Sequence, residues 1–151
     1  MSTFDPGRLV MVDIPGKSLD AETAAFLREQ KIRSVCLFRK NIGTGDEVRA
    51  LMRDLIAVLG PGALIGIDQE GGAVVRVTFL PQPPSAMALG ASGDADRAEA
   101  VGAAVARGLK SLGINWNFAP VLDVNNNRAK PVIGERSFSN DPVVGSRPAA
   151  P

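Results

Sequence analysis

Residues 65–72, Ile65-Gly66-Ile67-Asp68-Gln69-Glu70-Gly71-Gly72, run from an apolar strand straight into two carboxylates and two glycines, with Arg76 close behind. Apolar residues that end in Asp where the chain turns read as a strand delivering a carboxylate to the rim of a sheet. The glycines lack the Cβ that would keep backbone away from a ligand. Arg76 adds a planar fork of donors suited to a carboxylate or to several oxygens at once. The group reads as a site for a polyol or an acid more than as a structural turn. Asp68 and Glu70 share one side only if the strand continues through both, and the glycines argue that it does not. Asp68 is therefore assigned to ligand binding and Glu70 to a supporting role.

Working outward, strand and helix signals alternate. Short apolar runs at 9–13, 35–38 and 63–68 read as strands, and a fourth strand lies within 114–124. Ser18 and Asp20 open a helix through about residue 30, with Leu19, Thr23, Phe26 and Leu27 inward. Thr44 with Glu47 forms a capping box ahead of Val48, Leu51, Met52, Leu55, Ile56 and Leu59, and Gly60-Pro61 stops that helix. Ser92 opens a third, with Ala98, Val101, Gly102, Val105, Leu109 and Leu112 on one face and Gly113 at its end. The proline-rich 80–84 segment is a loop, as is the polar stretch through Asn140.

The order β-α-β-α-β-α-β implies parallel strands with helical crossovers. Three of the four strands end in Asp: Asp13, Asp68 and Asp123. Polar groups at the carboxyl ends of parallel strands are where barrels place their sites, and four βα units are half of an eight-stranded barrel. Residues 1–144 are read as that half and 145–151, which cannot form a regular helix, as an irregular tail.

The chain of 151 residues has a net charge of +1, from 17 basic and 16 acidic residues well mixed, which favours neither nucleic acid nor a membrane surface. One cysteine excludes an internal disulfide, and Cys36 in its apolar run reads as a buried structural thiol. The N-terminus lacks the regions of a signal peptide and no apolar run approaches a membrane span, so the protein is expected to be soluble and cytoplasmic. There is no histidine and no tyrosine, so the commonest general acid/base is missing from these residues.

Rival motifs fail on their own terms. Gly43-Thr44-Gly45 lacks the third glycine of a dinucleotide loop and reads as a helix entry. Asp123-Val124-Asn125-Asn126-Asn127 opens like a calcium loop, but Arg128 stands where glycine must turn it and Gly134 where the bidentate Glu belongs. No metal or cofactor is expected. Trp116 suits sugar stacking and core packing alike. Glu135 with Arg136, taken alone, reads best as a surface ion pair.

Three segments nonetheless occur here in a fixed order: Asp68-Gln69-Glu70-Gly71-Gly72 with Arg76, then Asn117-Phe118-Ala119-Pro120-Val121-Leu122-Asp123-Val124, then Gly134-Glu135-Arg136-Ser137-Phe138. On these motifs the chain, over about residues 8–142, resembles the N-terminal part of glycoside hydrolase family 3, in its β-N-acetylhexosaminidase branch. The resemblance implies a (β/α)8 barrel that removes terminal β-linked N-acetylglucosamine, mostly from bacterial cell-wall (peptidoglycan) fragments. It implies sugar-binding roles for Asp68, Arg76 and Arg136, which fits the residue types: an acceptor and two cationic donors can grip hydroxyls and an acetamido carbonyl. The family mechanism is retaining hydrolysis through a glycosyl-enzyme intermediate, with an Asp nucleophile and a His acid/base. Both are expected beyond these residues, so none of the catalytic pair is assigned here and the chain alone is expected to be inactive. The alternative is a non-catalytic sugar-binding or assembly half-barrel. Either way the expected partner is a small carbohydrate, and a half-barrel with open edges is expected to self-associate.

Overall fold

The computed structural model describes residues 5–127 and 132–146. Strands β1 (Met11–Val12), β2 (Ser34–Leu37), β3 (Leu64–Ile67) and β4 (Trp116–Asn117) form one sheet in the order β1-β2-β3-β4. The β1–β2 and β2–β3 pairs are parallel, with Val12 opposite Val35 and Val35 opposite Ile65. Five helices accompany them among the described residues: α1 (Ala21–Glu29), α2 (Gly45–Leu59), α3 (Ala86–Ser92), α4 (Ala95–Ser111) and α5 (Pro142–Ser146). This is the parallel β/α order expected of the first units of a barrel.

The chain divides into two compact units. One comprises residues 1–67 and 109–116, the other 68–108 and 117–151.

In the first unit, Val35, Leu37, Ile65 and Ile67, which share one face of the sheet at the two-residue period, are fully buried, while Cys36 on the other face is half buried and Leu64 exposed. The Asp20 side chain caps α1 by accepting from Thr23 N at 2.7 Å. Thr44 and Glu47 cap α2 reciprocally, Thr44 N donating to Glu47 Oε2 at 2.6 Å and Glu47 N to Thr44 Oγ1 at 3.3 Å. Val48, Leu51, Met52, Leu55 and Leu59 are the buried stripe of α2, and Gly60 ends it at φ +84°. Asn41, wholly buried, accepts from Phe38 N and donates to Ile14 O and Gly16 O, tying the loop after β1 to the loop after β2.

Several sequence readings need correction. Residues 6–9 form a 3-10 turn, because Pro6 sets its first φ, and the first strand shrinks to Met11–Val12. Phe26 and Ile56 lie half exposed at the edges of their helical faces. Ser92 ends a helix instead of opening one. The short α3 was unread, its Ser85 cap accepting from Ala88 N at 3.3 Å, and Asp94 supplies the acceptor for Arg97 N ahead of α4. The last helix takes in Gly145 and Ser146, assigned above to an irregular tail, while 147–151 lie outside the described residues. Cys36 is only half buried and Trp116 is half exposed.

Strand β4 is two residues long because side-chain amides do part of its work. Asn115 accepts from Ile65 N at 2.8 Å and donates to Ala63 O at 2.8 Å. Asn117 accepts from Gln69 N at 2.9 Å and donates to Gln69 O at 3.1 Å. Asp123 therefore follows a loop, six residues past Asn117, and not a strand end.

Candidate binding site

The charged groups that carry the site belong to the second unit. Directly after β3, Asp68 turns into Gln69, whose side chain is buried and hydrogen-bonded through both its oxygen and its nitrogen. Its Oε1 accepts from Arg76 N and Val77 N at 2.9 and 3.0 Å, and its Nε2 donates to Val77 O at 3.2 Å. This one amide folds the 69–77 loop back on itself and brings Arg76 to Asp68. Arg76 Nη2 donates to Asp68 Oδ2 at 2.9 Å, with both side chains about a quarter exposed. Asp68 Oδ1 accepts nothing among the described residues.

The glycines serve the chain itself rather than a ligand. Gly71 sits at φ +104°, and a Cβ there would lie 2.2 Å from Pro84 O. Gly72 at φ +55° would place one 2.7 Å from both Ser85 Cβ and Glu135 Oε1. The expectation that they clear room for a ligand is corrected: the 83–85 segment and Glu135 occupy that room.

Glu70 takes the supporting role assigned to it, through a charged partner. Its oxygens accept from Arg136 Nε and Nη2 at 2.8 Å each, a parallel two-bond pair. Glu70 is almost buried and Arg136 about 30% exposed. Arg136 Nη1 also donates to Val132 O at 3.3 Å. The Glu70 carboxylate holds the Arg136 guanidinium even more firmly protonated than usual, burial opposing and Asp68 and Asp123 adding to the effect. Glu135 does not pair with its neighbour. Its Oε1 accepts from Ala73 N at 2.7 Å instead. Ser137, buried beside them, has its Oγ 2.7 Å from Asp123 O and 2.6 Å from Ser139 O, with its single proton donated to one of the two carbonyls at a time.

Sequence reasoning thus placed Asp68, Arg76 and Arg136 at strand-end loops, and the structure brings Arg136 within the electrostatic reach of Asp68. It missed the Glu70–Arg136 pair, because a contact between residues 66 positions apart leaves no local signal. The part-buried Asn117 bridge had one: Asn115 and Asn117 alternate at the two-residue period that puts both on one strand face.

A cavity of about 430 Å³ adjoins this cluster. Its walls are largely apolar, with Leu89, Val101, Val105, Pro120 and Phe138 among them, and it touches Glu70 and Arg136 but neither Asp68 nor Arg76.

Parallel β/α units with paired charges in the loops after their strands are the architecture of barrel enzymes, in which active sites sit on that face. Residues 5–150 match the family described as Glycosyl hydrolase family 3 N terminal domain, and the chain belongs to that family. It is 40% identical over 141 residues to a β-hexosaminidase of Chromobacterium violaceum, covering 88% of this chain and 39% of the relative. A β-hexosaminidase of Neisseria meningitidis serogroup C is 34% identical over 150 residues, with coverages of 94% and 41%. The structure of a glycoside hydrolase family 3 β-N-acetylglucosaminidase from Paenibacillus sp. strain FPU-7 matches at TM-score 0.88 and 36% identity, over 93% of this chain and 28% of that one. NagZ from Neisseria gonorrhoeae in complex with N-trifluoroacetyl-D-glucosamine matches at TM-score 0.85 and 32% identity, over 93% and 44%. The chain spans about 40% of the length of the curated relatives it matches.

Proposed function

We propose that this chain supplies part of the sugar subsite of a β-N-acetylhexosaminidase, with residues 1–144 as the N-terminal half of its barrel domain. Asp68, Arg76 and Arg136 hold the terminal N-acetylglucosamine of a β-linked substrate. The observation that carries this reading is the clustering of all three charged groups in the loops that follow β3 and β4. Asp68 offers Oδ1 as an acceptor for a sugar hydroxyl, while Arg76 and Arg136 present donors. Its support from outside the chain is the β-hexosaminidase relatives and the N-acylated glucosamine bound by the gonococcal structure.

The intact protein's reaction is then retaining hydrolysis, in which one group protonates the leaving oxygen and an Asp forms the glycosyl-enzyme bond that water breaks. The residues here bind and orient the sugar; the acid/base His and nucleophilic Asp are supplied from outside these 151 residues, which contain no histidine. Cell-wall fragments are the substrate class we assign, and the cytoplasm the compartment. Among the described residues, no helix is long and apolar enough to cross a membrane. The chain by itself self-associates through its outer strands and exposed apolar groups.

Saturation-transfer NMR titration with N-acetylglucosamine tests the reading. Binding that weakens by about one to two decades in Asp68→Ala supports it, the loss expected from one charge-assisted bond of about 1.5–3 kcal/mol. Equal binding by parent and Asp68→Ala removes Asp68 from the site.

A further inference from the structure

We infer that Glu70 is a positioning residue of the sugar subsite: it presets Arg136 so that two N–H groups, one on each terminal nitrogen, remain to span two neighbouring sugar oxygens. This rests on the subsite reading above and adds a residue and a recognition geometry to it.

A guanidinium carries five N–H groups in a fixed plane. In Arg136, Nε–H and one Nη2–H are taken by Glu70, and one Nη1–H by Val132 O. Among the described residues, the remainder is one N–H on each Nη. Two terminal nitrogens of one planar group lie about as far apart as two oxygens on adjacent carbons, so the pair suits a vicinal diol or a hydroxyl beside an acetamido group. The three N–H groups of a lysine rotate about one nitrogen and present no such fixed planar pair.

Glu70 can hold that geometry because it is itself fixed. Its carboxylate is almost buried. Its backbone N donates to Val74 O at 2.9 Å, inside the loop that Gln69 closes. The loop carrying Arg136 is fastened in return, since Glu135 accepts from Ala73 N at 2.7 Å. Each loop therefore sends a carboxylate to the other, with Glu70 reaching Arg136 and Glu135 reaching Ala73. An arginine free to rotate would lose side-chain entropy on binding sugar; one already clasped loses little.

A double-mutant cycle on the full chain separates positioning from general support. N-acetylglucosamine affinity is read by saturation-transfer NMR in the parent, Glu70→Gln, Arg136→Ala and the double variant. Hydrogen exchange over residues 70–76 monitors the clasp, and circular dichroism monitors folding. We expect Glu70→Gln to weaken binding about tenfold, and to weaken it no further once Arg136 is alanine. Additive losses, or parent-like affinity in a folded Glu70→Gln, overturn the inference. If the parent binds no N-acetylglucosamine, the subsite reading falls and this inference falls with it. If the parent binds and Arg136→Ala is unaffected, the inference is lost together with the sugar-binding role of Arg136, while Asp68 and Arg76 keep theirs.

Discussion

Glu70 and Arg136, 66 residues apart, meet through two bonds of 2.8 Å, so the loop after β3 and the loop after β4 share one part-buried charge pair. Removing one member of such a pair strands the other. Arg136→Ala should therefore destabilise the fold by about 3 kcal/mol, the low end for a buried pair because Arg136 keeps partial exposure. Glu70→Gln with Arg136→Met together should cost less than Arg136→Ala alone. Urea denaturation of the three variants checks this.

The turn glycine gives a sharper structural expectation. An alanine at Gly71 would need φ near +104° and would set its Cβ against the Pro84 carbonyl oxygen. Strain of about 1–2 kcal/mol for the left-handed backbone adds to displacement of the 83–85 segment. Gly71→Ala should lower stability by about 3 kcal/mol and increase hydrogen exchange at Gly72, whose N–H donates to Pro83 O. A parent-like melt would show that the two segments do not pack as described.

Acid sensitivity should include the α2 cap. Backbone and side-chain hydrogen bonds from Thr44 hold the Glu47 carboxyl below its ordinary range. A depressed folded value means the contribution is present above the unfolded carboxylate pKa and is lost as pH falls through the lower folded one. Thr44→Ala should cost about 1 kcal/mol at neutral pH. Glu47→Gln should flatten the pH dependence of the melting temperature on the acidic side of the carboxylate range and leave its alkaline side unchanged. Melts from neutral pH down to about pH 3 decide it.

Exposed apolar groups suggest the state of the chain in solution. Leu9 is 76% exposed and Leu122 73%, while β1 and β4 are the outer strands of the sheet. Unpaired strand edges recruit other chains. Analytical ultracentrifugation should show concentration-dependent association; a single monomeric species across a hundredfold range of concentration would refute it.

Legibility from sequence followed how local each signal was. The α2 cap, its buried stripe and its Gly60 stop were all readable because they repeat within a few residues. The strand order was readable because parallel β/α units alternate. The short α3 was not, since seven residues carry too little periodicity and proline just before them reads as loop. At the site, Asp68 and Arg76 were legible as a strand-end motif, though their mutual pairing depends on Gln69 folding the loop. Gly71 and Gly72 were correctly singled out for close approach, but the approaching atoms belong to the chain itself. The Glu70–Arg136 pair required the three-dimensional arrangement.

A crystal structure of the chain with N-acetylglucosamine tests the central claim most directly. It should place one sugar hydroxyl within hydrogen-bonding distance of Asp68 Oδ1 and two neighbouring sugar oxygens on the remaining N–H groups of Arg136, with the Glu70 pair intact. A sugar lodged in the apolar cavity beside Val101 and Val105, away from Asp68, would contradict it.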